Sequence, residues 1–344
     1  MPTCHITQRL IKKTAIAALF LLLILLKTGV SRAGEIPVKI GVLAARGPDR
    51  CMEEWSPTAE YLSSMIPFKT FVIIPLDYEQ IHSSVEKREV DFILVNSSFY
   101  VELEHWYEVN RIATLKNTRI GGSYTTYGGA IFCKANRKDI RNLTDLKGKS
   151  FMAFKETSFG GWRMAWRELK EIGIDPHRDF AELKFGGTHD AVVYGVRDDK
   201  VDAGTVRTDT LERMHLEGKI DIEDYHFIHK EGVRKEFFMP PFNHSTREYP
   251  EWPMAKLKHT YDELAEKVAI ALIEMPYNSP AALEAGCNGW TIPMNYQSVR
   301  ECLKELKVGP YKDLGQITLT DVIRKYLLYI SAVAFLLIIM ATEG

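Results

Sequence analysis

From Val38 onward the chain alternates short apolar strands with helices, and this constrains the fold more than any other feature of the sequence. "VKIGVLA", "TFVIIPL" and "VDFILVN" are β-branched or aromatic runs. They alternate with "MEEWSPTAEYLSSMI", "YEQIHSSVEKRE" and "SFYVELEHW", where apolar residues recur at helical spacing. Strands separated by helices pair in parallel through crossovers, so an α/β protein is expected. After a less regular stretch from Asn110 to Thr126 the alternation resumes: "GGAIFCK", the short "NLTDLKG", "SFMAFK", a helix from Phe159 to Ile172, "AELKFG", a helix from Asp190 to Arg197, "VDAGTVR" and "DTLERMHLEG". "HFIH" reads as a further strand. Residues 34–127 then form one lobe and 128–233 a second. The proline- and aromatic-rich "FFMPPFNHSTREYPEWP" returns the chain, and 234–320 complete the first lobe. Crossovers near Thr126 and Phe237 would flank a cleft and absorb its closure.

The two ends are apolar. Arg9, Lys12 and Lys13 precede an unbroken apolar run from Ala15 to Leu26, and Ser31-Arg32-Ala33 supplies small residues before Gly34. Residues 1–33 read as an export signal cleaved after Ala33, the alternative being a retained anchor. Near the other end, Tyr326 to Ala341 is apolar on every face, and sixteen helical residues cover about 24 Å of a ~30 Å hydrocarbon core. A transmembrane helix over 323–341 would hold residues 34–320 on the periplasmic face of the inner membrane. Arg324 and Lys325 on its outer side fit the positive-inside tendency poorly.

With 44 basic and 45 acidic side chains the formal charge is −1, and no basic block lies beyond the first residues, so nucleic acid is not an expected partner. There is no P-loop, GxSxG or HExxH pattern and no metal-ligand spacing, so no cofactor, no metal and no catalysis are expected. Cys4 lies in the signal, which leaves Cys51, Cys133, Cys287 and Cys302 in an oxidising setting. Cys287 and Cys302 flank one short segment and are the expected disulfide pair, the alternative being buried free thiols.

In open α/β sheets ligands sit beyond the carboxyl ends of strands, at helix N-termini. Those places hold Asp77-Tyr78, Asn96-Ser97-Ser98, Thr157-Ser158-Phe159-Gly160-Gly161 and Gly187-Thr188-His189-Asp190, with Tyr100 and Tyr127 nearby. Singly, each hydroxyl or amide is as well explained as a helix cap. Recurrence along one edge of two facing lobes favours a small-anion site made of Tyr78, Ser97, Tyr100, Tyr127, Ser158, Gly160, Gly161, Thr188 and His189.

The ordered pieces "IGVLA", "EEWSPTAEYLS", "LDYEQIHSSVEKREVDFILVNSSFYVELE", "IRNLTDLKGKSFMAF", "SFGGWRMAWRELKEIGID" and "FGGTHDAVVYGVRDDKVDAGTV" resemble the phosphate/phosphite/phosphonate-binding family of type 2 periplasmic solute-binding proteins. The resemblance implies a two-lobed fold with an interlobe cleft, and a ligand held by Ser158, His189, Tyr78 and Tyr127. The family's Ser-Thr-Ser-Gly turn falls here on Ser158-Phe159-Gly160-Gly161, which lacks a serine and the threonine. Rebuilding that turn with Phe159→Thr and Gly160→Ser would then be expected to restore phosphonate binding. The segment from Gly289 to Ile330 resembles the connection between such domains and the membrane helix of bacterial sensors, commonly histidine kinases. The expected function is therefore a sensor of a small phosphate-, phosphite- or phosphonate-like anion, reporting through the C-terminal helix to a kinase output beyond this sequence or in a partner. The alternatives are a binding component that hands its ligand to an ABC permease, or an enzyme of the same fold.

Overall fold

The computed structural model describes residues 36–229, 242–316 and 319–343. The export-signal reading of 1–33 and the crossover near Phe237 lie outside them. Fourteen strands are described: β1 (Val38–Leu43), β2 (Phe71–Leu76), β3 (Phe92–Leu94), β4 (Asn110–Arg119), β5 (Gly122–Tyr124), β6 (Thr126–Tyr127), β7 (Gly129–Lys134), β8 (Ser150–Ala153), β9 (Glu182–Phe185), β10 (Ala203–Arg207), β11 (Tyr225–Phe227), β12 (Tyr249–Pro250), β13 (Pro253–Lys256) and β14 (Cys287–Thr291). The helices are α1 (Pro48–Met65), α2 (Gln80–Glu86), α3 (Ser97–Tyr107), α4 (Met164–Glu171), α5 (Pro176–Asp179), α6 (His189–Arg197), α7 (Thr210–Leu216), α8 (Asp262–Ile273), α9 (Pro280–Glu284), α10 (Gln297–Leu306) and α11 (Leu319–Glu343).

Twelve of these strands form two large sheets. One runs β14-β4-β13-β3-β1-β2 with β5 beside β4, the other β11-β7-β10-β8-β9. The strands of each βαβ unit pair in parallel, as β1 does with β2 and β3, and β8 with β9 and β10. The sheets are nevertheless mixed, because β13, β4 and β14 are antiparallel, as are β7, β10 and β11. The stretch read as irregular from Asn110 is in fact the ten-residue strand β4. Its burial does not alternate, since pairing on both sides rather than one apolar face holds it in place. Two short antiparallel strands, β6 and β12, link the lobes through Tyr127–Tyr249 and Thr126–Pro250 pairs.

Each sheet is covered on both faces. Trp55, Ala59 and Leu62 of α1 pack with Trp290 and Cys287 on one face of the first sheet. Val299, Cys302 and Leu303 of α10 pack with Phe99, Val101 and Leu103 of α3 on the other. This arrangement overturns the expected disulfide. Cys287 and Cys302 belong to the cores on opposite faces of one sheet, and both are buried free thiols, as are Cys51 and Cys133. Burial pushes the Cys51 and Cys302 thiols up to about 12, so they remain protonated and poor nucleophiles.

Helix α11 contains the apolar segment Ile323–Thr342, mean hydropathy 1.9, with none of it buried against the rest of the chain. It is long and apolar enough to cross a membrane.

Candidate ligand-binding cleft

A cavity of about 540 Å³ opens between the lobes. Its walls are the places where both sheets end. The loop after β1 contributes Ala44, Ala45 and Arg46, the end of β4 contributes Arg119, the end of β10 contributes Arg207, and the turn before α4 contributes Ser158 to Gly161. Tyr78, Tyr127, Ser158, Gly160, Gly161 and His189 line it, as the sequence suggested.

Three residues placed there from the sequence are elsewhere. Ser97 is fully buried beneath the crossover, donating to the Pro250 carbonyl and lying 3.4 Å from the Tyr127 hydroxyl. Tyr100 is a core residue, edge-on to Tyr296 at 5.0 Å and donating to Glu104. Both are displaced from the cleft because the first turn of α3 packs into the first lobe, which leaves Asn96 facing the cavity. Thr188 is exposed and serves as the N-cap of α6, its hydroxyl accepting from the Ala191 N–H at 3.0 Å. The capping role holds at the other helix starts too. Asn96 accepts from the Ser98 and Phe99 amides, and Ser158 from the Gly161 amide at 3.2 Å.

Charge in the cavity comes from arginines that the sequence reading passed over. Arg46, Arg50, Arg119, Arg207 and Arg213 line it, against Glu54, Asp209 and Glu284. Arg207 is bonded to the buried Glu251 and lies over the Tyr127 ring at 4.2 Å. Arg119 meets Asp209 at 2.9 Å, a contact between β4 of one lobe and the start of α7 in the other. Asp209 adopts a left-handed backbone, φ 67°, a conformation that aspartate tolerates better than most residues. Glu54 is taken by Arg50 at 2.8 Å. The cavity thus offers cationic donors whose nearest carboxylates are already engaged. Of the buried nitrogens on residues lining the cavity, two lack a partner, Arg207 Nε and His189 Nδ1. The Arg207 Nε–H can donate to a ligand, and Nδ1 of the neutral His189 donates or accepts according to its tautomer.

The turn Ser158-Phe159-Gly160-Gly161 has a physical account. Residues Phe159–Arg163 form a π-helical turn that continues as α4, with the Arg163 amide bonding the Ser158 carbonyl. Phe159 is fully buried, edge-on to Tyr249 at 4.9 Å. A β-carbon on Gly160 would lie 2.9 Å from the Tyr127 ring. One on Gly161 would lie 2.7 Å from Phe154 Cβ and 2.9 Å from the His189 ring. The rebuilt turn is therefore corrected: Phe159→Thr would open a cavity in the core and Gly160→Ser would strike Tyr127, so this substitution is destabilising. The space left by the missing side chains is taken by Tyr127, His189 and Arg207.

His189 stacks on Phe154 with ring centroids 4.5 Å apart. Burial, reinforced by Arg207 and Arg213, lowers its pKa to about 3, so it is neutral at pH 7. The Tyr127 phenol is pushed up to about 12 by burial, and that of Tyr78 is raised by burial as well, so both keep their protons. A base whose folded pKa lies below its unfolded value of about 6.5 makes the unfolded chain bind more protons between the two. Stability contributed by neutral His189 is therefore full above about pH 6.5 and falls as pH drops toward 3, at up to ~1.4 kcal/mol per unit. Urea unfolding at pH 7, 5.5 and 4.5 should show a steeper loss in the parent than in His189→Gln. Equal slopes would place the ring in water.

The chain matches the family model of the ABC-transporter phosphonate periplasmic substrate-binding proteins over residues 40–297. It belongs to that phosphonate-binding family. Members of the family are binding proteins, and this membership together with the fold makes the chain a periplasmic ligand-binding component of the sensor or transporter type. It is 32% identical over 272 residues to the tetrathionate sensor histidine kinase TtrS of Salmonella typhimurium, covering 79% of this chain and 44% of that protein. The chain thus spans less than half the length of this relative. Among solved structures, PhnD1 from Prochlorococcus marinus, in complex with methylphosphonate, superposes with a TM-score of 0.63 at 14% identity. That match covers 78% of this chain and 98% of the other. XAC2383 from Xanthomonas citri, bound to ATP, also gives 0.63, at 16% identity over 80% and 97%. At these identities the structural likeness establishes the phosphonate-binding fold and nothing about the ligand.

Proposed function

We propose that this chain is a membrane-tethered periplasmic sensor domain whose cleft binds a small oxyanion carrying acceptors only, with tetrathionate the first candidate. The supporting observation is the arginine-lined cavity, in which Arg119 and Arg207 come from different lobes and both approach Glu251. Phosphate and phosphonate carry a P–OH near neutral pH and need an acceptor as well as donors. Of the three cavity carboxylates, Glu54 and Asp209 are held by arginines and Glu284 alone is left to accept, so a fully ionised anion such as a sulfur oxyanion is favoured where the ligand sits among the arginines. Trp55, Leu115 and Trp252 add an apolar wall, and the volume exceeds the needs of a single tetrahedral anion. The similarity to the tetrathionate sensor points the same way, and helix α11 supplies a tether.

Tethering of residues 34–320 by α11, release of the signal after Ala33 and a kinase partner belong to this reading. A permease partner is the second reading, favoured by the family's transporter membership. Titration calorimetry with tetrathionate, thiosulfate, sulfate, phosphate and methylphosphonate tests the ligand. Saturable binding of tetrathionate with phosphate and methylphosphonate at least about tenfold weaker is expected, a difference of ~1.4 kcal/mol. Preference for methylphosphonate would return the site to the family's phosphonate chemistry.

A further inference from the structure

The helix that begins in the cleft ends against the helix that leads to the membrane. Residues 158–161 line the cavity, and the same helical segment runs on through α4 to Glu171. Six residues beyond Gly161, less than two turns from the cavity, Arg167 of α4 grips Glu305, in the last turn of α10, with two bonds of 2.6 Å from Nε and Nη2. Its Nη1 also donates to the Tyr249 hydroxyl at 3.0 Å and to the Ser298 carbonyl. Lys170, one turn further, donates to the Glu305 carbonyl. Helix α10 is held from the first lobe as well, through Arg300 and Glu104. After Leu306 the chain turns at Lys307, φ 56°, passes a short 3-10 turn at Gly309–Tyr311, and enters α11 at Leu319. Helix α10, the last helix before the apolar one, is therefore held by both lobes.

We propose that the Arg167–Glu305 pair is the coupling by which movement of the second lobe at the cleft is passed to α10 and so to α11. Arg167 is 5% exposed and fixed by three partners, so it reports the position of α4 rather than its own rotamer. Glu305 is 46% exposed, which makes it a contact that can be removed without opening the core. This rests on the sensor reading for its purpose, but its geometry is independent of which anion binds.

The test uses the full chain in nanodiscs, without ligand, and reads backbone hydrogen exchange in residues 297–316. Gly161→Ala pushes the cavity end of the helix, because its new methyl would meet Phe154 and His189. In the parent background it should change exchange in α10 by about threefold or more, whereas with Glu305→Gln the same substitution should leave α10 within about 1.5-fold. Gly160→Ala, which presses on Tyr127 instead, serves if Gly161→Ala does not fold. Equal changes with and without Glu305, or none in either background, would overturn the coupling. Glu305→Gln alone should leave the melting temperature nearly unchanged, separating lost coupling from lost stability. Calorimetry with tetrathionate on Glu305→Gln should match the parent. No tetrathionate binding in either protein would count against the ligand reading while the exchange result still decides the coupling.

Discussion

Arg207→Ala is expected to weaken anion binding by at least about 30-fold, ~2 kcal/mol, and to destabilise the protein as well. The guanidinium holds a position at the cavity wall over Tyr127, and its unpartnered Nε is available to an acceptor. Its other role is to neutralise Glu251, which is 1% exposed. Removing the arginine leaves that carboxylate with only the more distant Arg119, at 3.9 Å, at a cost of up to about 3–5 kcal/mol, and also turns a negative group toward the site. The two effects separate in the double substitution Arg207→Gln with Glu251→Gln. Stability should largely return, since the buried charge is gone, but affinity should not. Calorimetry with tetrathionate and thermal unfolding on the three proteins read this. Parent-like affinity in the double variant would mean that Arg207 only serves Glu251 and that the anion sits elsewhere in the cavity.

Why the sequence showed the glycines and histidine but not the arginines follows from how each is specified. Strand ends preceded by β-branched runs are local features, so Tyr78, Ser158 and His189 could be placed at an edge from pattern alone. The same rule applied to "VDAGTVR" would have reached Arg207, and after "VKIGVLA" it would have reached Arg46. Those positions were not singled out, because a charge in sequence carries no sign of the Glu251 or Asp209 that meets it from another element. Arg119 was out of reach for a further reason. It ends β4, whose residues show no apolar period, and that strand exists because β13 and β14 pair with it from more than 130 residues away. Ser97 and Tyr100 were misplaced for the converse reason, since the helix start they share with Asn96 turns inward under β12. The cysteine spacing suggested a bridge only because sequence distance does not record a sheet lying between two side chains.

Arg163→Ala is expected to be among the most destabilising single substitutions, at about 3–5 kcal/mol, without touching the cavity. Arg163 sits in the π turn of the second lobe and is buried, as is Glu102 of α3 in the first. Its Nη1 lies 2.5 Å from Glu102 Oε1 and also meets the Ser98 hydroxyl. His82 contacts the other carboxylate oxygen at 3.2 Å. Burial alone would raise the pKa of Glu102, but Arg163 and His82 outweigh it and hold the carboxyl below its usual value. A lowered carboxylate contributes stability at neutral pH that is lost as pH falls through its folded pKa, so the parent should lose stability in acid more steeply than a variant lacking the pair. Truncating the arginine leaves the buried Glu102 without its cation, with only His82 and the Ser98 hydroxyl beside it, whereas replacing both partners removes the charge along with its cost. Arg163→Met with Glu102→Leu should thus recover most of the loss in urea unfolding at pH 7. Because the pair joins helices of different lobes, the double variant should also let them part more readily, seen as a larger radius of gyration by small-angle scattering in the absence of ligand. A single variant as stable as the parent would show that water already reaches the pair, and an unchanged radius in the double variant would mean that other contacts, such as Phe159 with Tyr249, hold the lobes together.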